Sequence, residues 1–433
     1  MDMVSGFFYN LFMTVGVIVF APLLFVKVIL TPKYRSRIGK RLGFALGEKP
    51  GGSGFPRIWV HALSVGEVAS ARNLVQELRC SYPQGVIIFS ASTRAGETFA
   101  RSTLGEHVDC FVPFPFDLLW SVKRLLSWVN PDLFILVETD FWPNFLRELK
   151  QRSIPSLLVN GRVSESSMSR YTTFRWLFAP LFNSFQALAM QTEQDGVCMR
   201  QLGVDPERLV VLGNLKYDAA LPGGIVKPGL DRKGLHIPVQ ALVWVAGSTH
   251  RGEEEILFNV FQKLVRTYAD LFLILAPRDV ARGAELAAMA DQRGLLAFRR
   301  SSSETGTGSV LILDTLGELS AVYNLCDVAF VGGSLVDQRG HNPLEPAVHG
   351  KPVLFGPFME DFAEISRDLL AVEGGVQIRN EEELCDCLSL LLGDPARRER
   401  TGRKAQGLIA SRRGVTEAHI ALIRKMLTQK EGR

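Results

Sequence analysis

From residue 57 to residue 356 the chain alternates short apolar runs with longer helix-like stretches. Runs at 57–61, 85–90, 110–113, 133–138, 156–160, 187–191, 210–213, 242–247, 271–277, 310–314, 328–332 and 352–356 are bounded by Gly, Pro or polar residues. Short strands that are apolar throughout belong to parallel sheets covered on both faces. Their alternation with helices predicts repeated βαβ units. A single core stops growing at about 250–300 residues, and this chain has 433. Two doubly wound α/β domains, facing each other across a cleft, are therefore expected. The stretch 218–240 is rich in Pro and Gly and has no periodicity, so it reads as a linker between a domain at 32–217 and one at 241–433. In such sheets ligands bind beyond the carboxyl ends of the strands, so the residues just after each strand are the informative ones.

The amino terminus is of another kind. Residues 6–26 carry no charge, and at the rise of a helix they extend about 30 Å, the thickness of a bilayer core. Lys27, Lys33, Arg35, Arg37, Lys40 and Arg41 follow, with no acid until Glu48. By the positive-inside rule residues 1–31 read as a membrane anchor with the rest of the chain in the cytoplasm. Asn10 and Pro22 keep a helix lying in the interface open as the alternative. A cleaved signal peptide fits less well, because its basic residues would precede the apolar run. In either anchored form the basic stretch is expected to meet the headgroups of anionic phospholipid.

A net charge of +4 excludes a bulk nucleic-acid binder. Cys80, Cys110, Cys198, Cys326, Cys385 and Cys387 include no C-x-x-C pair and read as reduced thiols. There is no D-x-D, no H-E-x-x-H, no Walker A pattern and no G-x-G-x-x-G, so neither a metal nor a dinucleotide cofactor is implied.

Five runs carry the chemistry. In His61-Ala-Leu-Ser64-Val-Gly66-Glu67, Ser64 and Glu67 have the spacing of a capping box. Glu67 at a strand's carboxyl end, with Gly66 allowing close approach, also suits a general base. Glu138-Thr139-Asp140-Phe141-Trp142-Pro143 reads either as a helix start with Pro143 in its first turn or as a polar acceptor pocket with aromatic walls. After Gly247, the N–H groups and the hydroxyls of Ser248 and Thr249 offer an anion site, while Glu253, Glu254 and Glu255 suit a helix dipole without any ligand. Pro277-Arg278-Asp279 ends another strand: Arg278 either pairs with a neighbouring acid or holds a phosphate. In the run from Phe330 to Pro346, Gly332 and Gly333 allow a backbone to approach a ligand closely, with Ser334 beside them. There Asn342, Pro343 and Glu345 fit the first positions of a helix, and Glu345 also suits ribose hydroxyls.

Taken in order, HALSVGE, ETDFWPN, NGRVSES, GNLKYD, AGSTHRGEE, APR, DTLGEL, FVGGSL, GHNPLEPA and FGPFMEDF resemble the Kdo (3-deoxy-D-manno-octulosonic acid) transferase family of lipopolysaccharide biosynthesis over residues 33–365. The resemblance implies the GT-B fold. It places the donor CMP-Kdo in the carboxy-terminal domain and a tetraacyldisaccharide lipid A precursor in the amino-terminal one. It makes Glu67 the catalytic base, sets Glu138 beside it with Ser64 and Gly66 on the acceptor side, and gives Arg278, Leu316, Gly317, Glu318, Asn342 and Glu345 to CMP. It also implies inversion without a metal. Asp279, Arg339 and the stretch 92–96 depart from the family pattern, the first two on the donor half. A UDP-sugar transferase or epimerase of the same fold, and a non-catalytic membrane scaffold, are the rival readings. Removing residues 1–31 is expected to move the chain toward the soluble fraction and to weaken action on membrane-embedded acceptor; full retention in sedimented membranes would refute the anchor.

Overall fold

The computed structural model describes residues 9–10, 13–16, 32–44, 46–52, 54–138, 141–219, 229–302, 306 and 308–431. Most of the expected anchor, 1–31, and the middle of the expected linker, 220–228, lie outside the described residues. Among the described residues no helix is long and apolar enough to cross a membrane.

The chain divides into Met1–Ala219 with Gly414–Arg433, and Ala220–Arg413. The first unit contains β1 (Arg57–Ala62), β2 (Val86–Ala91), β3 (Cys110–Phe111), β4 (Leu133–Val137), β5 (Ser156–Gly161), β6 (Ala187–Met190) and β7 (Leu209–Val211). The second contains β8 (Leu242–Thr249), β9 (Leu271–Pro277), β10 (Ala297–Arg299), β11 (Val310–Ile312), β12 (Val328–Val331), β13 (Val353–Phe355) and β14 (Gly375–Gln377). Every pairing is parallel. The strand orders are β3-β2-β1-β4-β5-β6-β7 and β10-β11-β9-β8-β12-β13-β14. The order reverses between β1 and β4 in one sheet and between β8 and β12 in the other. These are the switch points at which open α/β sheets bind ligands.

Local sequence explains the sheets. β1 is buried from its second residue to its last. Ile58, Val60 and Ala62 pack on the helix Val65–Ser81 on one face. Trp59 packs against Phe114, Phe134 and Phe145 on the other. A strand clothed on both faces has no polar side to alternate with, hence the continuous apolar run. β10 and β14 were not visible in the sequence pattern, being edge strands of three residues, only partly buried.

The domain boundaries need correction at both ends. Asp218 is buried in the first unit, whereas Leu230, Leu235 and Ile237 are core residues of the second, so the expected linker is mostly built into the two units. The helix Val415–Glu431, expected in the second domain, belongs to the first. Val415, Ile420, Ile423, Met426 and Leu427 join the core around Val68, Ala71 and Val75. Asp218 fixes its start: Oδ1 accepts from the Gly414 N–H at 3.1 Å and Oδ2 from the Thr416 N–H at 2.6 Å.

The amino-terminal residues that are described sit on the first unit. The Tyr9 hydroxyl donates to Asp117 Oδ2 at 2.8 Å, and Asn10 and Asn144 exchange amide hydrogen bonds at 3.0 and 2.8 Å. Arg41 donates to the Phe114 carbonyl at 2.9 Å, and Arg37 to the Ser92 carbonyl at 2.8 Å. These two cations of the basic stretch thus hold it to the first unit. Asp218→Ala strips the acceptors from two N–H groups at the start of a packed helix, and is expected to lower stability by about 1–3 kcal/mol. Urea unfolding, with hydrogen exchange at 415–431, checks it; unchanged protection of that helix would contradict the capping role.

Candidate functional site

In the first unit the sheet order sets Glu67 and Glu138 beyond neighbouring strands, β1 and β4, at the switch point. Glu67 lies in the first turn of Val65–Ser81 and is 6% exposed. The expected capping box is not formed. Ser64 is the N-cap residue, but its side chain makes no capping bond. Glu67 Oε2 instead takes the N–H of Leu63, one residue further back, through a short hydrogen bond. That bond points the carboxylate toward the strand end instead of along the helix. Gly66 beside it is exposed and Ser64 half-buried.

Glu138 follows β4 with φ +61° and is also 6% exposed. Its Oε1 accepts from Asn160 Nδ2 at 3.0 Å, and Oε2 lies 3.9 Å from Arg162 Nε. Asn160, with φ +56°, is fully buried. Its Oδ1 accepts from the Leu215 N–H at 2.9 Å and its carbonyl from Gln191 Nε2 at 2.9 Å. Gln191 Oε1 in turn accepts from Asn214 Nδ2 at 3.0 Å. A chain of amides thus ties together the carboxyl ends of β4, β5, β6 and β7. Each left-handed non-glycine residue costs about 1–3 kcal/mol and persists only where surrounding bonds over-determine it; here the amide chain does so. The two aromatics expected as walls of an acceptor pocket are half-buried and packed on the core of the first unit. Phe141 packs edge-on to Phe182 at 4.7 Å, and Trp142 leans on the same core. Thr139 and Asp140 lie outside the described residues.

In the second unit Gly247 is required by packing, since a Cβ there would fall 2.0 Å from the Tyr323 hydroxyl. Ser248 bulges out of β8 with φ +56° and is half-buried. Thr249 is buried and donates to Glu254, which pairs with Arg282 at 2.7 Å. The anion site expected from free N–H groups is filled by the protein itself. Glu253, fully buried, accepts from the N–H groups of His250 (2.9 Å), Gly333 (2.7 Å), Ser334 (3.0 Å) and Leu335 (2.9 Å). Burial pushes its carboxyl up, and the four N–H groups pull it back down. Ser334 is likewise internal: its hydroxyl donates to Val331 and accepts from the Gly356 N–H at 2.8 Å. The Thr249 hydroxyl, the Gly333 N–H, and the N–H and hydroxyl of Ser334 are therefore engaged within the framework, and these groups are not free to meet a donor.

What the second unit presents is another set. Arg278, beyond the buried Pro277, is exposed, and its side chain makes no hydrogen bond or ion pair among the described residues. Asp279 turns away, capping the following turn at the Ala281 N–H. Arg339 pairs with Asp361 at 2.7 Å on the surface. Leu316 is 76% exposed at a turn made by Gly317 with φ +74°. Beside it Glu318 accepts from Thr315 at 2.6 Å and Arg300 at 3.2 Å. Asn342 Oδ1 holds the Leu344 N–H at 3.1 Å, so the helix Leu344–Ala347 begins after Pro343, one residue later than expected. Burial pushes the Glu345 carboxyl up to about 7, against the lowering effects of Asn342 and the Arg278 charge. His250 and His341, unassigned from sequence, meet with Nε2 atoms 2.8 Å apart. Among the described residues no group of three or more His, Cys, Asp or Glu is arranged to hold a metal ion.

Two parallel α/β units with their polar residues at the switch points define an enzyme of the GT-B class. The fold matches a putative UDP-N-acetylglucosamine 2-epimerase from Listeria monocytogenes (TM-score 0.60, 14% identity, 86% of this chain and 97% of that one). It also matches a glycosyltransferase from Rickettsia africae (TM-score 0.57, 11% identity, 86% and 98%). Residues 36–219 match the family described as 3-deoxy-D-manno-octulosonic-acid transferase (kdotransferase). The 3-deoxy-D-manno-octulosonic acid transferase of Haemophilus influenzae is 33% identical over 95% of both chains, and that of Aquifex aeolicus 31% identical over 77% of this chain and 86% of its own. The chain belongs to the 3-deoxy-D-manno-octulosonic acid transferase family and is a glycosyltransferase.

Glu345 gives a pH test. Its folded value of about 7 lies above the ordinary 4.5. Its contribution to stability is therefore fully present below pH about 4.5 and is lost as pH rises through about 7. Glu345→Gln, which cannot ionise, is expected to raise the unfolding temperature relative to the parent more at pH 8.5 than at pH 5. An equal offset at both pH values would contradict the raised carboxyl.

Proposed function

We propose that the chain transfers Kdo from CMP-Kdo to the tetraacyldisaccharide lipid A precursor lipid IVA, with inversion at the anomeric carbon and without a metal. The observation that carries this reading is the placement of Glu67 in a chain of this family: a buried carboxylate at the carboxyl end of β1, oriented by the Leu63 N–H. Glu67 takes the proton of the acceptor hydroxyl as the oxygen attacks C2 of Kdo. The C2–O bond to the phosphate breaks, its electron pair stays on CMP, and Glu67 then returns its proton to solvent. Attack opposite the leaving group inverts the centre. Arg278, whose side chain has no partner among the described residues, is the cation for the phosphate, which fits the absence of D-x-D. The exposed Leu316 at its glycine turn and the Asn342–Glu345 pair are the complementary surfaces for nucleoside. Glu138, fixed by Asn160, is the acceptor-side carboxylate.

The same reading places the protein at the cytoplasmic face of the bacterial inner membrane, where its phospholipid and lipid acceptor are found. Tyr9, Asn10 and Arg41 all bond to the stretch 114–144 of the first unit. Bonds from Tyr9 and Asn10 to the first unit support an anchor lying in the interface, the alternative to one that crosses the bilayer.

Glutamine at position 67 keeps an oxygen for the Leu63 N–H but takes no proton. Glu67→Gln is expected to fold within about 1 kcal/mol of the parent and to bind CMP unchanged, while turnover falls by about 10²–10⁴. A folded variant turning over within a few-fold of the parent would remove Glu67 from the base role and pass it to Glu138.

A further inference from the structure

The contact between His250 and His341 joins the end of β8 to the loop after β12 across 91 residues of sequence, with Nε2 to Nε2 at 2.8 Å and the rings parallel within 6°. Two ring nitrogens at that distance require one N–H and one lone pair. Two hydrogens would collide, and two lone pairs would repel. In the neutral pair one imidazole donates through Nε2 and the other accepts. A further proton on the donor ring's Nδ1 leaves this bond in place and makes it charge-assisted, which strengthens it. The pair is thus built to accept one positive charge without rearrangement.

The surroundings decide when it does so. Desolvation holds His250 below its ordinary value and His341 at about 4, and the Arg278 charge adds to both. Arg282 acts against His250 in the same direction, while Glu254 favours its cation. Asp361 favours the His341 cation, and Glu345 lies within reach of the same Arg278. No carboxylate is hydrogen-bonded to either ring among the described residues; the Glu253 carboxylate takes only the backbone N–H of His250. Gly333, with φ +66°, forms the floor: a Cβ there would lie 2.9 Å from the His341 ring and 3.3 Å from that of His250. Among the described residues, an exposed arginine with no side-chain partner beside a histidine pair with no hydrogen-bonded counter-ion is an arrangement missing one anion.

We infer that His250 and His341 form a proton-loading cradle for the donor's phosphate, so that the phosphate arrives on Arg278 and the pair takes up one proton with it. This rests on the donor-site reading proposed above. The anion cancels the Arg278 charge that disfavours the imidazolium and supplies the missing counter-charge. Donor binding is then coupled to proton uptake, and CMP leaves more readily as the pair gives the proton back. The two histidines are binding residues, distinct from the base.

The test is titration of the full-length chain, labelled with ¹⁵N-histidine, alone, with saturating CMP, and with cytidine, which lacks the phosphate. With CMP, one of the two histidines is expected to titrate about one unit or more higher than in the free chain, as an opposite charge at a few ångströms dictates; with cytidine neither moves. His341→Asn and His250→Asn keep a hydrogen-bonding side chain without the basic nitrogen. Each is expected to lose the proton-linked gain in CMP affinity that the parent shows as pH falls from 8 to 4, a gain that approaches about tenfold for a one-unit shift once pH lies below the free pair's own titration. The phosphate's own titration near 6 is a background shared by parent and variants. CMP bound with both histidines unshifted would overturn the cradle and leave the donor site standing. No CMP binding at all would overturn both.

Discussion

Parallel strands end in loops whose backbone N–H groups no neighbouring strand can pair, and each such group left buried and unsatisfied costs free energy. The rest of this structure depends on how those groups are met. In the second unit Glu253 takes four of them, from His250 and from three successive residues after β12. In the first, Asp218 takes two at the start of the carboxy-terminal helix, and Asp117 takes those of Asn144 and Phe145 at the start of the helix Pro143–Gln151. Buried carboxylates stand in these places because an N–H cluster is an electropositive pocket, and an internal anion closes it permanently.

That choice has a chemical consequence. A nest of N–H groups already holding Glu253 is unavailable to a phosphate, so charge for the donor must come from side chains that project beyond the framework. Arg278 is exposed and its side chain is unpaired among the described residues, while Arg282, Arg300 and Arg339 are each bound to acids. The histidine pair is the other basic group at the same edge. On the first unit the division is similar. Asn160, Gln191 and Asn214 hold the strand ends together and leave Glu138 fixed at the switch point beside the strand that delivers Glu67. Framework and reactive groups thus differ in kind: buried amides and carboxylates bond to backbone, and a few charged side chains are left at the rim.

Most of the strand positions followed from short apolar runs, and the motifs fell in loops at the carboxyl ends of those strands, because strand ends and glycine turns leave a local signature. The assignment of duties within those loops did not follow. Ser64 and Glu67 have capping-box spacing, yet the carboxylate reaches Leu63 instead. Glu253 has the spacing of a dipole-compensating acid, yet it bonds across 80 residues to Gly333. Ser334 and Thr249 look like ligand hydroxyls and are buried supports. In each case the same residue type satisfies a local rule and a distant one, and only the distant partner decides between them.

The sequence by itself determined two parallel α/β units, an uncharged segment at the amino terminus and a carboxylate one turn into the helix after β1. These depend on periodicity and on neighbours a few residues apart. The tertiary structure alone returned Val415–Glu431 to the first unit, closed the N–H cluster on Glu253 and brought His250 against His341. The reason is physical. Strand order sets which loops are adjacent, that order is a property of the whole sheet, and a hydrogen bond between two loops leaves no periodic trace in either.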